Sequence, residues 1–600
     1  MKRFFLILIM LLLTSPVFAF HQDAYLPAVQ ETNTGFSGVL ILLEADVKRG
    51  TGHVFLDTSP LTQVDTQGSA RMAKKVVGDI LDLDMDEYDM FFTIRGESPV
   101  VGGASAGATM TAVSLAEILN VSVNISVVAT GTINPDGTVG RVGGIFEKAQ
   151  AVSKLNNSLF LIPKGNRFVT KNTFAEDNTA TTVKIDIIDY AQKNWGMEVR
   201  EVSNVKEIFE EMTGYEFKKR PKKQFKENVK FKETLKEISN NKLKEAENKL
   251  EEIKNSKDTI SMTYSGIQEV ENLIKQQEDL IQKSKEFINR ERYYAAVSKL
   301  FAFSIYNEYG LTLINYFQSG NSMAFVKEKL ENINEKIEKT KVRIENITES
   351  KIEILLTAKE RLTESESWLD DGWKAYYNED FIGALYAASY AEKRLDTVDT
   401  WLKIGKSFEK DKGFDFGSLK NMASEKLEEA SSSIVYANTI GLSITRAEEL
   451  FETAQENFKK QDYESAIFNA IDAKVRSDML MELRGVSNIE GEVEKYKERA
   501  KKSLTRSQEK NITPILGLAY FEYALTFENS TEKILYFKFS ESFSNFARDL
   551  KYEDVEKERI EKDNFVRPEQ KIVPADYRYT IIVTILGVFA GFLIGFYFKK

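Results

Sequence analysis

Short apolar runs and amphipathic stretches alternate over the first third of the chain. VLILLEA (39–45), VSVNISVVAT (121–130), LFLIP (159–163) and TVKIDIID (182–189) read as strands, and 69–82, 106–119 and 145–155 read as helices between them. This alternation predicts an α/β or α+β domain over 36–215, where most of the glycines also lie. The pattern changes after residue 215. A basic hinge, KKRPKKQFKENVKF (218–231), leads into a polar, helix-prone stretch with Leu235, Ile238, Leu243, Leu250 and Ile253 at helical spacing, and 324–366 is similar. Residues 216–366 therefore read as a long helical, hairpin or coiled-coil region.

Residues 367–570 carry a weak internal repeat. NEDFIGALYAASYA (378–391) aligns with KQDYESAIFNAIDA (460–473): an aromatic first (Phe381, Tyr463), Ala at +3, an aliphatic residue at +4, and Ala at +7 and +10. YYAAVSKLFAFS (293–304) fits loosely. Small residues at this spacing let paired helices approach closely, as in tetratricopeptide-type hairpins, and equally in ordinary antiparallel packing.

The two ends carry membrane signals. Residues 1–19 have Lys2 and Arg3, an apolar run from Phe4 to Leu13, and Val-Phe-Ala at 17–19, the pattern of a signal peptide cleaved after Ala19 or of an uncleaved anchor. Residues 579–598 contain TIIVTILGVFAGFLIGFYF, long enough for one transmembrane helix, followed by Lys599 and Lys600. Together they predict a single-pass protein of the cell membrane with most of the chain outside the cytoplasm. Gly587, Gly591 and Gly595 form overlapping GxxxG motifs that permit a homo-oligomer.

Composition narrows the chemistry. The 600 residues exceed one core, and a formal net charge of −10 without a basic stripe gives nucleic-acid binding no support. There is no Cys, which excludes disulfides, thiolate nucleophiles and Cys-ligated metals. His21 and His53 are the only histidines, and neither sits in a stretch resembling a catalytic loop, so a serine nucleophile here needs a base other than His. IGKS (404–407) lacks the first P-loop glycine, where Thr400 stands, and Asp415-Phe416-Gly417 lacks every other kinase element, so the chain shows no ATPase module.

In VGGASAGATM (101–110) Ser105 is surrounded by residues with almost no side chain, just before a predicted helix. It is either a helix N-cap or a nucleophile that a substrate backbone can reach, with helix N–H groups near a developing oxyanion. In ATGTINPDGTVGRVGGIFEKAQ (129–150), Lys148 follows a Gly-Gly and sits among Ile145, Phe146, Ala149 and Val152. Partial burial suits a neutral lysine base; a solvated helix lysine is the alternative.

These stretches resemble the proteolytic domain of the Lon family. Thr-Gly, a turn, Gly-Gly and Lys follow one another in ATGTINPDGTVGRVGGIFEK, Ser105 and Lys148 are 43 residues apart, and LIPKGN (161–166) and Tyr88-Asp89 also match. The resemblance covers about 180 residues. It implies an α+β proteolytic domain with a Ser-Lys dyad: Ser105 as nucleophile, Lys148 as general base, Thr130 bonded to the lysine amine, and the backbone at Gly103 and Ala104 helping to bind the oxyanion. Val100-Val101-Gly102-Gly103-Ala104 replaces the family's Pro-Lys-Asp-Gly-Pro, and Phe91 and Thr93 replace its strand histidines. The similarity is to exported, membrane-anchored archaeal Lon-like serine proteases without the ATPase module. It implies an ATP-independent endopeptidase acting on unfolded or flexible protein segments, with no cofactor, metal, nucleotide or nucleic acid; the competing reading is a non-catalytic surface scaffold that retains a protease fold.

Overall fold

A computed structural model describes residues 22–550 apart from 33–34, 63, 102, 175–179, 218–224, 259–263, 321, 348–350 and 409–415. The segments 1–19 and 579–598, and the end of the 367–570 region, lie outside the described residues. Among those described, no helix is long and apolar enough to cross a membrane.

The N-terminal part is built on two sheets. In the first, β1 (Gln22–Thr32), β2 (Gly35–Arg49), β4 (Tyr88–Val101) and β3 (Val54–Thr62) lie in the order β1-β2-β4-β3. β3 reaches its parallel neighbour β4 through helix α1 (Val64–Leu81). Period-2 alternation selects the inner face: Ile41, Leu43 and Ala45 on β2 and Met90, Phe92 and Ile94 on β4 are all buried, with Leu43 opposite Ile94 and Ala45 opposite Phe92. The second sheet is parallel, in the order β11 (Glu198–Val202), β8 (Leu159–Pro163), β5 (Val127–Ala129). Helices α2 (Gly107–Leu119), α3 (Ile145–Val152), α4 (Ile187–Trp195) and α5 (Val205–Thr213) complete this part, with the hairpins β6 (Thr132–Ile133)/β7 (Val139–Gly140) and β9 (Phe168–Phe174)/β10 (Ala180–Asp186).

Two sequence expectations change. The first sheet begins at Gln22, before residue 36. Of the run 121–130 only Val127–Ala129 forms a strand; Val123 instead donates its N–H to the side chain of Gln22.

Among the described residues twelve helices follow: α6 (Val229–Asp258), α7 (Tyr264–Asn289), α8 (Tyr293–Gln318), α9 (Met323–Glu345), α10 (Ile352–Tyr377), α11 (Phe381–Lys406), α12 (Leu419–Thr439), α13 (Thr445–Lys459), α14 (Tyr463–Glu482), α15 (Ile489–Glu509), α16 (Ile515–Ala524) and α17 (Ser530–Asp549). They pack against one another as helix pairs in the same compact unit as the sheets, not as a projecting coiled coil. The spaced apolar residues mark the packed face: Leu235, Ile238, Leu250 and Ile253 are buried.

The internal repeat is two of these pairs, α10–α11 and α13–α14. Each turn places one residue in the left-handed region, Glu379 and Gln461, and caps the second helix with an aspartate, Asp380 and Asp462. The repeated alanines Ala384, Ala388, Ala391 and Ala466, Ala470, Ala473 are fully buried where the helices meet. The α7–α8 turn shares the left-handed residue, at Glu291. Gly405 of the IGKS sequence lies inside α11 against Ile354, so this stretch is not a phosphate-binding loop.

One hydrophobic core joins the two parts. It runs from Ile41, Phe92, Val113 and Ile208 to Ile434, Tyr436, Ile440 and Ala470 of the helical region.

Candidate active site

Ser105 sits in a single 3-10 turn, Ala104–Ala106, between β4 and α2. Gly103, which opens the turn, has φ 108°, a conformation closed to residues with a Cβ, so a glycine is required for the sharp change of direction. Neither the 3-10 turn nor α2 has a side-chain cap, so Ser105 is not the N-cap that its position allowed. Its carbonyl accepts the N–H of Gly131 at 3.0 Å, which ties the turn to the stretch carrying Thr130.

Lys148 lies one turn into α3. Gly144, at φ 67°, starts that helix, and a Cβ there would meet Val29 at 2.4 Å. Phe146, Ala149 and Val152 pack with Val128, Phe160 and Ile162 of the second sheet. This fixes the helix and turns Lys148 back toward the serine. The Lys148 side chain is 5% exposed, and its Nζ donates to Ser105 Oγ at 3.0 Å and to Thr130 Oγ1 at 3.3 Å. Thr130 is wholly buried. Burial lowers the Lys148 ammonium from 10.5 to about 8, and no carboxylate contributes to the shift. Its amine is thus partly neutral near physiological pH, and it is in contact with one hydroxyl that faces a cavity and one that does not.

That cavity has a volume of about 580 Å³ and is lined by both parts of the chain. The sheet part contributes Ser105, Lys148, Asp65 and Arg141; the helical part contributes Thr439 and Ile440 from the end of α12 and Arg484 just past α14. Asp65 comes from the first turn of α1, and its carboxylate accepts the Gly103 N–H at 2.5 Å. The Gly103 donor expected at the oxyanion is therefore engaged in this structure. Ala104 is buried, and its carbonyl accepts from Ser69 Oγ at 3.3 Å.

The structure therefore brings together Ser105, Lys148 and Thr130, with Gly103 and Ala104 beside them. His53 is elsewhere, bonded to Thr51 and close to Asp89 at the foot of β4. Phe91 stacks on Phe55 with centroids 4.7 Å apart, and neither Phe91 nor Thr93 lines the Ser105 cavity. Asp65, Thr439, Ile440 and Arg484 had no signal in the sequence, since each reaches the site only through the tertiary fold. Among the described residues no group of His, Asp or Glu is placed to hold a metal ion.

No curated protein matches this chain. Residues 29–189 match the family model of the Lon protease (S16) C-terminal proteolytic domain, and that span contains β2 to β10, the Ser105 turn, Thr130 and the helix of Lys148. Residues 29–189 are thus a Lon-family proteolytic domain, a serine protease domain of the Lon type, joined through a common core to a helical region outside the matched span.

Proposed function

We propose that the chain is an ATP-independent serine endopeptidase in which Ser105 is the nucleophile and Lys148 the general base. The observation that carries this reading is the 3.0 Å contact between Ser105 Oγ and a buried lysine amine whose pKa falls to about 8. Once deprotonated, Lys148 Nζ accepts the Ser105 proton as Oγ attacks the scissile carbonyl, and then returns it to the leaving amine. Thr130 Oγ1 holds the amine in line. Water entering after the amine leaves attacks the acyl carbon while giving up a proton to the same lysine, which returns that proton to Ser105 Oγ as the ester bond breaks and the acid product leaves. A substrate that draws its oxyanion to Gly103 displaces Asp65 from that N–H, so the donor is freed as the cleft fills.

The protein is read as a single-pass membrane protein with this domain outside the cytoplasm, on the strength of the apolar segments at 1–19 and 579–598. The absence of a P-loop sequence fits a setting without ATP, and substrates are unfolded or flexible protein segments. The test is cleavage of an unfolded protein by residues 20–575, without ATP, beside Ser105→Ala and Lys148→Ala. Activity lost in both folded variants supports the dyad. Activity retained in either sinks it, and an inactive parent, also inactive at full length in lipid, favours the binding scaffold.

A further inference from the structure

The helical region encloses a second cavity, of about 1010 Å³, that the chemistry of Ser105 does not use. Its lining combines aromatic rings with charged side chains. Tyr523 packs against Tyr294 and Tyr536 with centroids 5.9 and 4.9 Å away, and Tyr520 lies 5.3 Å from Phe539. On α10 and α11, Trp368 stacks on Tyr390 at 4.2 Å. All four guanidinium groups that line it are already paired: Arg361 with Glu360, Arg394 with Glu364, Arg446 with Glu449 and Arg476 with Asp472. Of the lysines in the lining, Lys249 is paired with Glu245 and Lys393 with Asp396, and Lys242 and Lys299 add two further ammonium groups. Burial raises Tyr294 and Tyr390 to about 12, so their hydroxyls stay protonated; Tyr390 donates its proton to Glu364 at 3.2 Å and keeps its oxygen as an acceptor. Hydrogen-bond donors and acceptors set among ring faces suit a ligand that alternates N–H and C=O groups and carries apolar side chains.

Helix α14 connects this cavity with the other. Asp472 and Arg476 line the larger one and Arg484 lines the cavity of Ser105. Six residues of helix lead from Arg476 to the end of α14 at Glu482, about 9 Å of rise, a distance that about three residues of extended chain would cover, and Arg484 follows in the turn beyond. The α12–α13 connection does the same, with Ile440 at the Ser105 cavity and Arg446 and Leu450 at the larger one.

We propose that the larger cavity binds an extended, unfolded polypeptide segment bearing aromatic or large apolar side chains, and so docks substrate beside Ser105. The docking role rests on the peptidase reading; the binding itself does not. Two of the chain's four tryptophans, Trp368 and Trp401, line the cavity, so intrinsic fluorescence reports on it.

The test uses the full chain carrying Ser105→Ala, titrated with an unstructured 20-residue peptide rich in Phe and Leu and free of Trp. The expected result is a saturable fluorescence change that shrinks in Trp368→Phe. Affinity should fall about tenfold in a Tyr520→Phe, Tyr536→Phe double variant, which keeps both rings and removes two hydroxyls. In the chain with Ser105 intact, the same double variant should raise KM for an unfolded protein about tenfold and leave turnover of a tetrapeptide amide unchanged. No saturable binding, equal affinity in the double variant, equal binding of a Gly/Ser peptide, or displacement by a hexasaccharide would each overturn the proposal. Failure of the parent to turn over the tetrapeptide counts against the peptidase reading alone, because the binding measurement needs no catalysis.

Discussion

The hydroxyl of Tyr436 accepts the backbone N–H of Ile133 at 3.2 Å, across 303 residues of sequence. Tyr436 is fully buried and belongs to α12 of the helical region, while Ile133 follows Thr130 by three residues. The ring also fills the space above Gly68 of α1, where a Cβ would come within 3.0 Å of it. The Ser105 turn leans on the same place: a Cβ on Gly107 would meet the Ile133 side chain at 2.7 Å. The helical region is thus wedged beneath the nucleophile turn.

Tyr436→Phe keeps the ring and leaves the buried Ile133 N–H without its acceptor. The expected cost is about 1–3 kcal/mol in chemical unfolding, together with slower reaction at Ser105. An unchanged midpoint and an unchanged rate would show that the contact supports neither part.

The pKa of Lys148 sets two pH dependences of the same sign. A general base must be neutral, so kcat/KM should rise with pH along a limb centred near 8. Stability should also rise between pH 8 and 10.5, since there the unfolded chain holds a proton that the folded chain has lost. Lys148→Met removes this group and should unfold later than the parent at pH 7, by about 1–3 kcal/mol, while losing activity. The gain should shrink as the pH rises through the same window. A less stable Lys148→Met protein would mean that the ammonium is well solvated in the fold.

Asp136 ties the turn between β6 and β7 to α15. Its side chain is 1% exposed and pairs with Lys495 at 2.9 Å, and Arg499 lies 3.9 Å away and bonds Glu482. These cations outweigh burial and hold the carboxyl at about 2. A depressed folded pKa means that this stability is present above about 4 and lost as the pH falls toward 2. Asp136→Ala should cost about 3 kcal/mol at pH 7 because it strands buried positive charge, and the deficit should narrow in acid. Urea midpoints of both proteins from pH 7 to pH 3 check this.

Thr130→Val keeps the shape and removes the hydroxyl 3.3 Å from Lys148 Nζ. With one hydrogen bond lost at a group that must be aligned, kcat should fall about tenfold, with KM little changed. A change confined to KM would place Thr130 in binding instead.

The sequence showed those parts of the site that are short-range. Ser105, Thr130 and Lys148 sit in stretches whose glycines and turn residues are themselves the signal, and 159–163 was legible as a strand because LFLIP is apolar on both faces. The missing parts depend on distant partners. Asp65 opens an ordinary helix and becomes informative only when Gly103 lies over it. Tyr436 and Arg484 look like any residues of long polar helices until those helices pack against α1 and the Ser105 cavity. The error at 121–126 has the same origin: Val121 and Val123 alternate like a strand, but Gln22 takes the Val123 N–H and no neighbour strand pairs there. Repeated alanines gave the helix pairs, yet not the cavity that those pairs enclose.

The most direct test of the central claim is acylation of Ser105 by a fluorophosphonate, followed by mass spectrometry over a range of pH. The account predicts a single adduct on Ser105, formed at a rate that rises with pH through about 8 and is lost in Lys148→Met. Modification elsewhere, or a rate at Ser105 that is independent of pH and unchanged in Lys148→Met, would contradict it.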